Sequence, residues 1–112
     1  MPEKTIEQIM HDSLFTIGNS FKLVIGDASL KVFNNVIETF NKKYREAVIK
    51  SINPYDINIT FTKKISSSIK QKMLIELIVN LGKKYFLVLG NPALEMIKDA
   101  ISDYKIELPK SF

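Results

Sequence analysis

The chain has 112 residues, 16 Lys and Arg against 12 Asp and Glu for a net charge of +4, and an apolar fraction of 46%. That is the length of one domain, 1–112, with ordinary globular composition, which excludes disorder, a collagen-like fibre and a highly charged nucleic-acid tail. Cysteine is absent, so disulfides, thiolate metal sites and thiol nucleophiles are excluded as well.

The first predicted element is a helix over residues 5–25. Ile6, Ile9, Met10, Leu14, Ile17, Phe21 and Val24 recur at the spacing of one helix face. Thr5 suits its N-cap, and Gly18-Asn19 is a weak point where it can break. Gly26-Asp27 then reads as a boundary, a left-handed glycine followed by an N-cap aspartate. Leu30, Phe33, Ile37, Phe40, Tyr44 and Ala47 predict a second helix running to about Ser51, where Asn53-Pro54 stops it. The two helices form an N-terminal antiparallel hairpin.

Residues 56–62 alternate polar and apolar, the pattern of a half-buried strand. After Ser66-Ser67-Ser68, residues 70–79 and 84–89 read as two further strands with a turn at 80–83 containing Gly82. The rival reading is a single helix over 66–81, on which Met73, Leu74, Leu77, Ile78 and Leu81 share a face. Gly90-Asn91-Pro92 opens a last helix, with Asn91 as N-cap and Pro92 at N1. The expected fold class is therefore α+β: a two-helix N-terminal hairpin, a three-stranded antiparallel meander and a C-terminal helix. No internal repeat is apparent.

In that meander one sheet face is uniformly apolar. The other carries Leu74, Ile78, Phe86 and Val88 among polar residues. An uncovered apolar patch of this kind marks a surface for a protein partner or small apolar ligand, and it predicts a homodimer.

Charge is uneven along the chain. Residues 42–84 hold ten basic and three acidic residues, while the remainder holds six and nine. Lys63, Lys64, Lys70, Lys72, Lys83 and Lys84 are candidates for binding nucleic acid or another polyanion, with Phe86 as a stacking platform. Nine of the ten cations are Lys, whereas base reading leans on Arg, so such binding would be sequence-tolerant and salt-sensitive. The plainer reading is a solvated surface with lysines guarding strand edges.

Other candidates are weaker. Glu95, Asp99 and Asp103 form an acidic stripe without a converging histidine. His11, the only histidine, can pair with Glu7 one turn earlier. Free N–H groups after Gly90 are accounted for by helix capping, and the phosphate-loop pattern is absent. Asn58-Ile59-Thr60 matches a glycosylation triplet but has no secretory signal beside it. The aromatics Phe15, Phe21, Phe33, Phe40, Tyr44, Phe61, Tyr85 and Phe86 read mostly as core, with a hydrophobic ligand groove as the alternative. The most apolar window, Met73–Leu89, is interrupted by Glu76, Asn80, Lys83 and Lys84, far from the ~18–20 apolar residues of a membrane span. The expectation is a cytoplasmic, non-enzymatic binding module of regulatory or sensory type, with no membrane association, metal or cofactor. The alternative is a small basic nucleic-acid-binding protein using residues 42–84.

Overall fold

The structure is a computed structural model that describes residues 4–51, 56–104, 106–110 and 112. Among the described residues there are four helices and one small antiparallel sheet: α1 (Ile6–Ile25), α2 (Ala28–Lys43), β1 (Ala47–Ser51), β2 (Ile57–Phe61), α3 (Ser67–Leu89) and α4 (Asn91–Ala100). The α+β class holds, but the three-stranded meander does not form. No helix among the described residues is long and apolar enough to cross a membrane.

The N-terminal helix starts as its sequence dictates. Thr5 accepts from the Gln8 N–H, and the Gln8 side chain accepts from the Thr5 N–H, a reciprocal capping box. Gly18 does not break it; the helix runs through Gly18, which is buried.

The second helix ends earlier than its periodicity suggested. Tyr44 leaves it in an extended conformation, and residues 47–51 pair with 57–61 in the register Ala47↔Phe61 to Ser51↔Ile57. Tyr44 and Ala47 continue the helical spacing, but Val48-Ile49 are β-branched and find a strand partner. The Asn41 side chain secures the switch: it donates to the Ile49 carbonyl at 2.8 Å and accepts from the Ile49 N–H at 2.9 Å. The expected stop at Asn53-Pro54 lies outside the described residues.

The largest correction concerns residues 66–89. They form one helix of 23 residues capped by the Ser66 hydroxyl, not two strands and a turn. Met73, Leu74, Leu77, Ile78, Leu81 and Tyr85 are buried along one face, the helical pattern of the rival reading. Gly82, the supposed turn residue, is a buried helical glycine. A β-carbon there would overlap the Phe112 ring, so this glycine serves close packing rather than a bend.

The last helix begins one residue before expectation. Asn91 is its first residue and Gly90 its cap. Gly90 (φ 72°, ψ −149°) also ends α3, much as Gly26 (φ 65°, ψ −147°) ends α1. Positive φ costs glycine little and other residues more.

These matching turns reveal a repeat that sequence inspection missed. Residues 14–40 align with 78–104 without a gap, and six pairs are identical: Gly18/Gly82, Leu23/Leu87, Val24/Val88, Gly26/Gly90, Leu30/Leu94 and Ile37/Ile101. The α1–α2 and α3–α4 hairpins thus share a helix–Gly–helix arrangement, although α4 is shorter than α2. The β1–β2 hairpin lies between them in the chain.

The two units meet along α1 and α3. Equivalent rings Phe21 and Tyr85 stack face to face, 3.7 Å between centroids and 2° from parallel. At the other end of the same helices Lys70 of α3 bonds Glu7 of α1. With both their starts and their ends together, α1 and α3 run parallel. The core fills the space between the hairpins with Met10, Leu14, Ile17, Phe21, Phe33, Leu77, Leu81, Tyr85 and Ile97, all essentially inaccessible. The sheet closes the end where α1 and α3 begin, and its inner residues Ala47, Ile49 and Ile57 join the same core.

Candidate functional site

The parallel course of α1 and α3 brings both Gly turns to one end of the molecule. Leu23 and Val24 occupy the last turn of α1; Phe86, Leu87 and Val88 occupy the last turn of α3. They are not buried. Leu23 is 87% exposed and its equivalent Leu87 79%; Val24 is 56% exposed and its equivalent Val88 54%. Phe86 adds a ring at 42%. Among the described residues, five of the seven large exposed apolar side chains therefore gather at this end, just beyond the stacked Phe21 and Tyr85 rings.

That end is rigidly supported. The buried Tyr85 hydroxyl donates to the Ser29 carbonyl at 3.0 Å, tying α3 to the start of α2. Its removal from water pushes the phenol pKa up. Beside the patch a groove of about 440 Å³ opens between Val79, Phe86, Leu87, Leu94, Pro109 and Phe112, and among the described residues Lys83 is its charged lining residue.

The sequence-predicted surface divides in two. Leu74 and Ile78 are buried in the core, because on a helix they lie on the inner stripe with Leu77 and Leu81 rather than on an outer sheet face. Phe86 and Val88 are exposed at the apolar end. Val24, which the periodicity places on the apolar face of the first helix, and Leu87, which the meander places on its apolar core face, are instead exposed, and Leu23 was not singled out. Their signal was the Leu-Val-x-Gly pattern present at both 23–26 and 87–90.

The six candidate lysines do not form one patch. Lys63 and Lys64 follow β2 and, with Tyr44, Ser66 and Ile69, line a shallow cleft of about 330 Å³ at the sheet end. Lys70 is largely buried and engaged by Glu7, with its ammonium 4.7 Å from the centroid of the Phe61 ring. Lys72 is exposed on α3. Lys83 and Lys84 are exposed near the other end of that helix. Lys83 lies sixteen residues beyond Ser67, about 24 Å along the axis.

Two polar ties join the elements. Lys43 and the Tyr44 hydroxyl both bond the Glu76 carboxylate, linking the end of α2 to α3. Burial would raise the Glu76 pKa, but these two bonds outweigh it and hold the carboxyl below its ordinary value. The Lys70 bond, first among its causes, lowers Glu7 likewise. The expected Glu7–His11 pair is not made. Glu7 turns to Lys70, while His11 Nδ1 lies 3.2 Å from Asp12 and its ring 6.5 Å from Phe15. Glu95, Asp99 and Asp103 are exposed, and among the described residues no group of three His, Asp or Glu side chains is placed to hold a metal ion. After Gly90, the Ala93 N–H bonds the Gly90 carbonyl at 3.0 Å. Of the aromatics, Phe21, Phe33, Phe40 and Tyr85 are core, and Phe15 and Phe86 are exposed.

The chain has no significant match to any family model, curated protein or solved structure.

Proposed function

We propose that this protein is a non-enzymatic binding module of regulatory or sensory type, working as a homodimer, that engages a partner protein or small apolar ligand through the end formed by its two Gly turns. One observation carries the reading: the same two apolar residues, Leu and Val, stand exposed to nearly the same degree at equivalent positions of both repeats. Exposed leucines scattered singly are ordinary; a cluster doubled at equivalent positions is a built surface. Covering each such side chain is worth roughly 1.5–3 kcal/mol at full burial. The neighbouring groove of about 440 Å³ falls in the size range of small-molecule sites.

The polyanion alternative has less support. Lys70 is already committed to Glu7, and the remaining candidates sit at opposite ends of α3. Retention on heparin at low salt that collapses at moderate salt would favour it nonetheless.

The test is a double substitution, Leu23→Lys with Leu87→Lys, read by titration with an apolar fluorescent dye such as anilinonaphthalene sulfonate. Both side chains are solvent-facing, so the melting temperature should hold while dye affinity falls at least about fivefold. Undiminished dye binding in the folded variant contradicts the reading.

A further inference from the structure

The two edges of the small sheet are treated differently. On β1, Asn41 occupies both the N–H and the C=O of Ile49. Those groups therefore point away from β2, and Ile49↔Ile59 is a pair that exchanges no ladder bonds. The Thr62 N–H to Glu46 carbonyl bond at 2.7 Å sets the same alternation. It follows that the N–H and C=O groups of Ile57, Ile59 and Phe61 face outward along the free edge of β2. Among the described residues nothing pairs with them.

The strand lacks the usual protection. Ile57-Asn58-Ile59-Thr60-Phe61 contains no lysine, proline or glycine and has the residue types that favour strands, which makes its open edge a pairing template. Beside Ile59 an open cleft of about 320 Å³ separates it from Lys4, Gln8 and His11 of the α1 end.

We infer that β2 pairs antiparallel with β2 of a second copy, centred on Ile59, giving a continuous four-stranded sheet in the order β1-β2-β2-β1. This deepens the homodimer clause of the proposed function and leaves the apolar end free for its partner. The strand is self-complementary in that register. Ile59 faces Ile59, Ile57 faces Phe61, and the outward groups exchange about six main-chain hydrogen bonds. Charge selects the same geometry. Asp56 precedes the strand and Lys63-Lys64 follow it, so the antiparallel arrangement sets the acid of one copy beside the cations of the other. A parallel arrangement would set lysines against lysines. An unrelated extended peptide has no such reason to match both ends.

Sedimentation and amide exchange on the full chain test this together. The expected result is a dimer at tens of micromolar, with the Ile59 amide as protected as the Thr60 amide, which is bonded within the hairpin. Ile59→Pro removes an outward N–H and no bond of the β1–β2 ladder, at the cost of the partly buried Ile59 side chain, and should weaken association at least about tenfold with helix content retained. Should that variant fail to fold, a charge swap decides: Asp56→Lys weakens the dimer, and adding Lys63→Asp restores it. A dimer whose Ile59 amide exchanges like an exposed one, or one indifferent to the charge swap, overturns the edge pairing alone. A monomer at that concentration overturns both the pairing and the dimeric part of the proposed function.

Discussion

Gly82 shows how one residue can carry two opposite readings. Between Lys70–Val79 and Lys84–Leu89 it resembles a hairpin turn. In the structure it is the spot on α3 where the Phe112 ring and Ile97 come closest. Substituting alanine should gain about 1 kcal/mol of helix propensity but displace the Phe112 ring, whose packing is worth roughly 1.5–3 kcal/mol. Gly82→Ala is therefore expected to be destabilised by about 1 kcal/mol in urea unfolding. In a Phe112→Ala background the sign should reverse, since the ring is already gone and only the propensity gain remains. A loss of stability in both backgrounds would mean that the helix itself cannot accept a β-carbon at this position.

At the scale of elements, what could be read from the chain depended on whether local and tertiary signals agreed. Thr5 and Gln8 cap α1 by contacts four residues apart or closer, and the start of that helix is legible. The boundary at Gly26 is legible from the positive φ that glycine accepts, although the Asp27 side chain makes no capping bond. The end of α2 is not, because Tyr44 and Ala47 continue its spacing while a side chain eight residues from Ile49 decides where the strand begins. Residues 73–79 and 85–89 are short, nearly all apolar runs, which periodicity alone cannot assign to strand or helix; packing against α1, α2 and α4 settles it. The ties among these elements have a pH signature. Glu7 and Glu76 both have lowered pKa values. Their contribution is thus fully present above the ordinary carboxyl pKa near 4.5 and is lost as pH falls through their lower folded values. Thermal stability should decline steadily below about pH 4.5. Glu76→Gln should flatten that decline at a cost of about 1 kcal/mol or less at neutral pH, since the group is partly solvated. An unchanged slope in the variant would remove Glu76 from the account.

The whole molecule is a doubled hairpin with a sheet at one end and an uncovered apolar surface at the other. Its duplication was hidden in the sequence because only six of the 27 aligned pairs in 14–40 and 78–104 are identical, and because the second copy imitates strands. Of the residues expected on one apolar surface, Phe86 and Val88 are exposed, while Leu74 and Ile78 line the core. The six candidate lysines likewise fall near both ends of α3 rather than on one basic face. The central claim is that the end carrying Leu23, Val24, Leu87 and Val88 is where this protein binds. It is tested most directly by titrating the isotope-labelled chain with anilinonaphthalene sulfonate and following its amide resonances. The account predicts that the largest shifts fall in both helix ends, at residues 21–26 and 84–90. Shifts concentrated at the sheet end, or confined to one repeat, would contradict it.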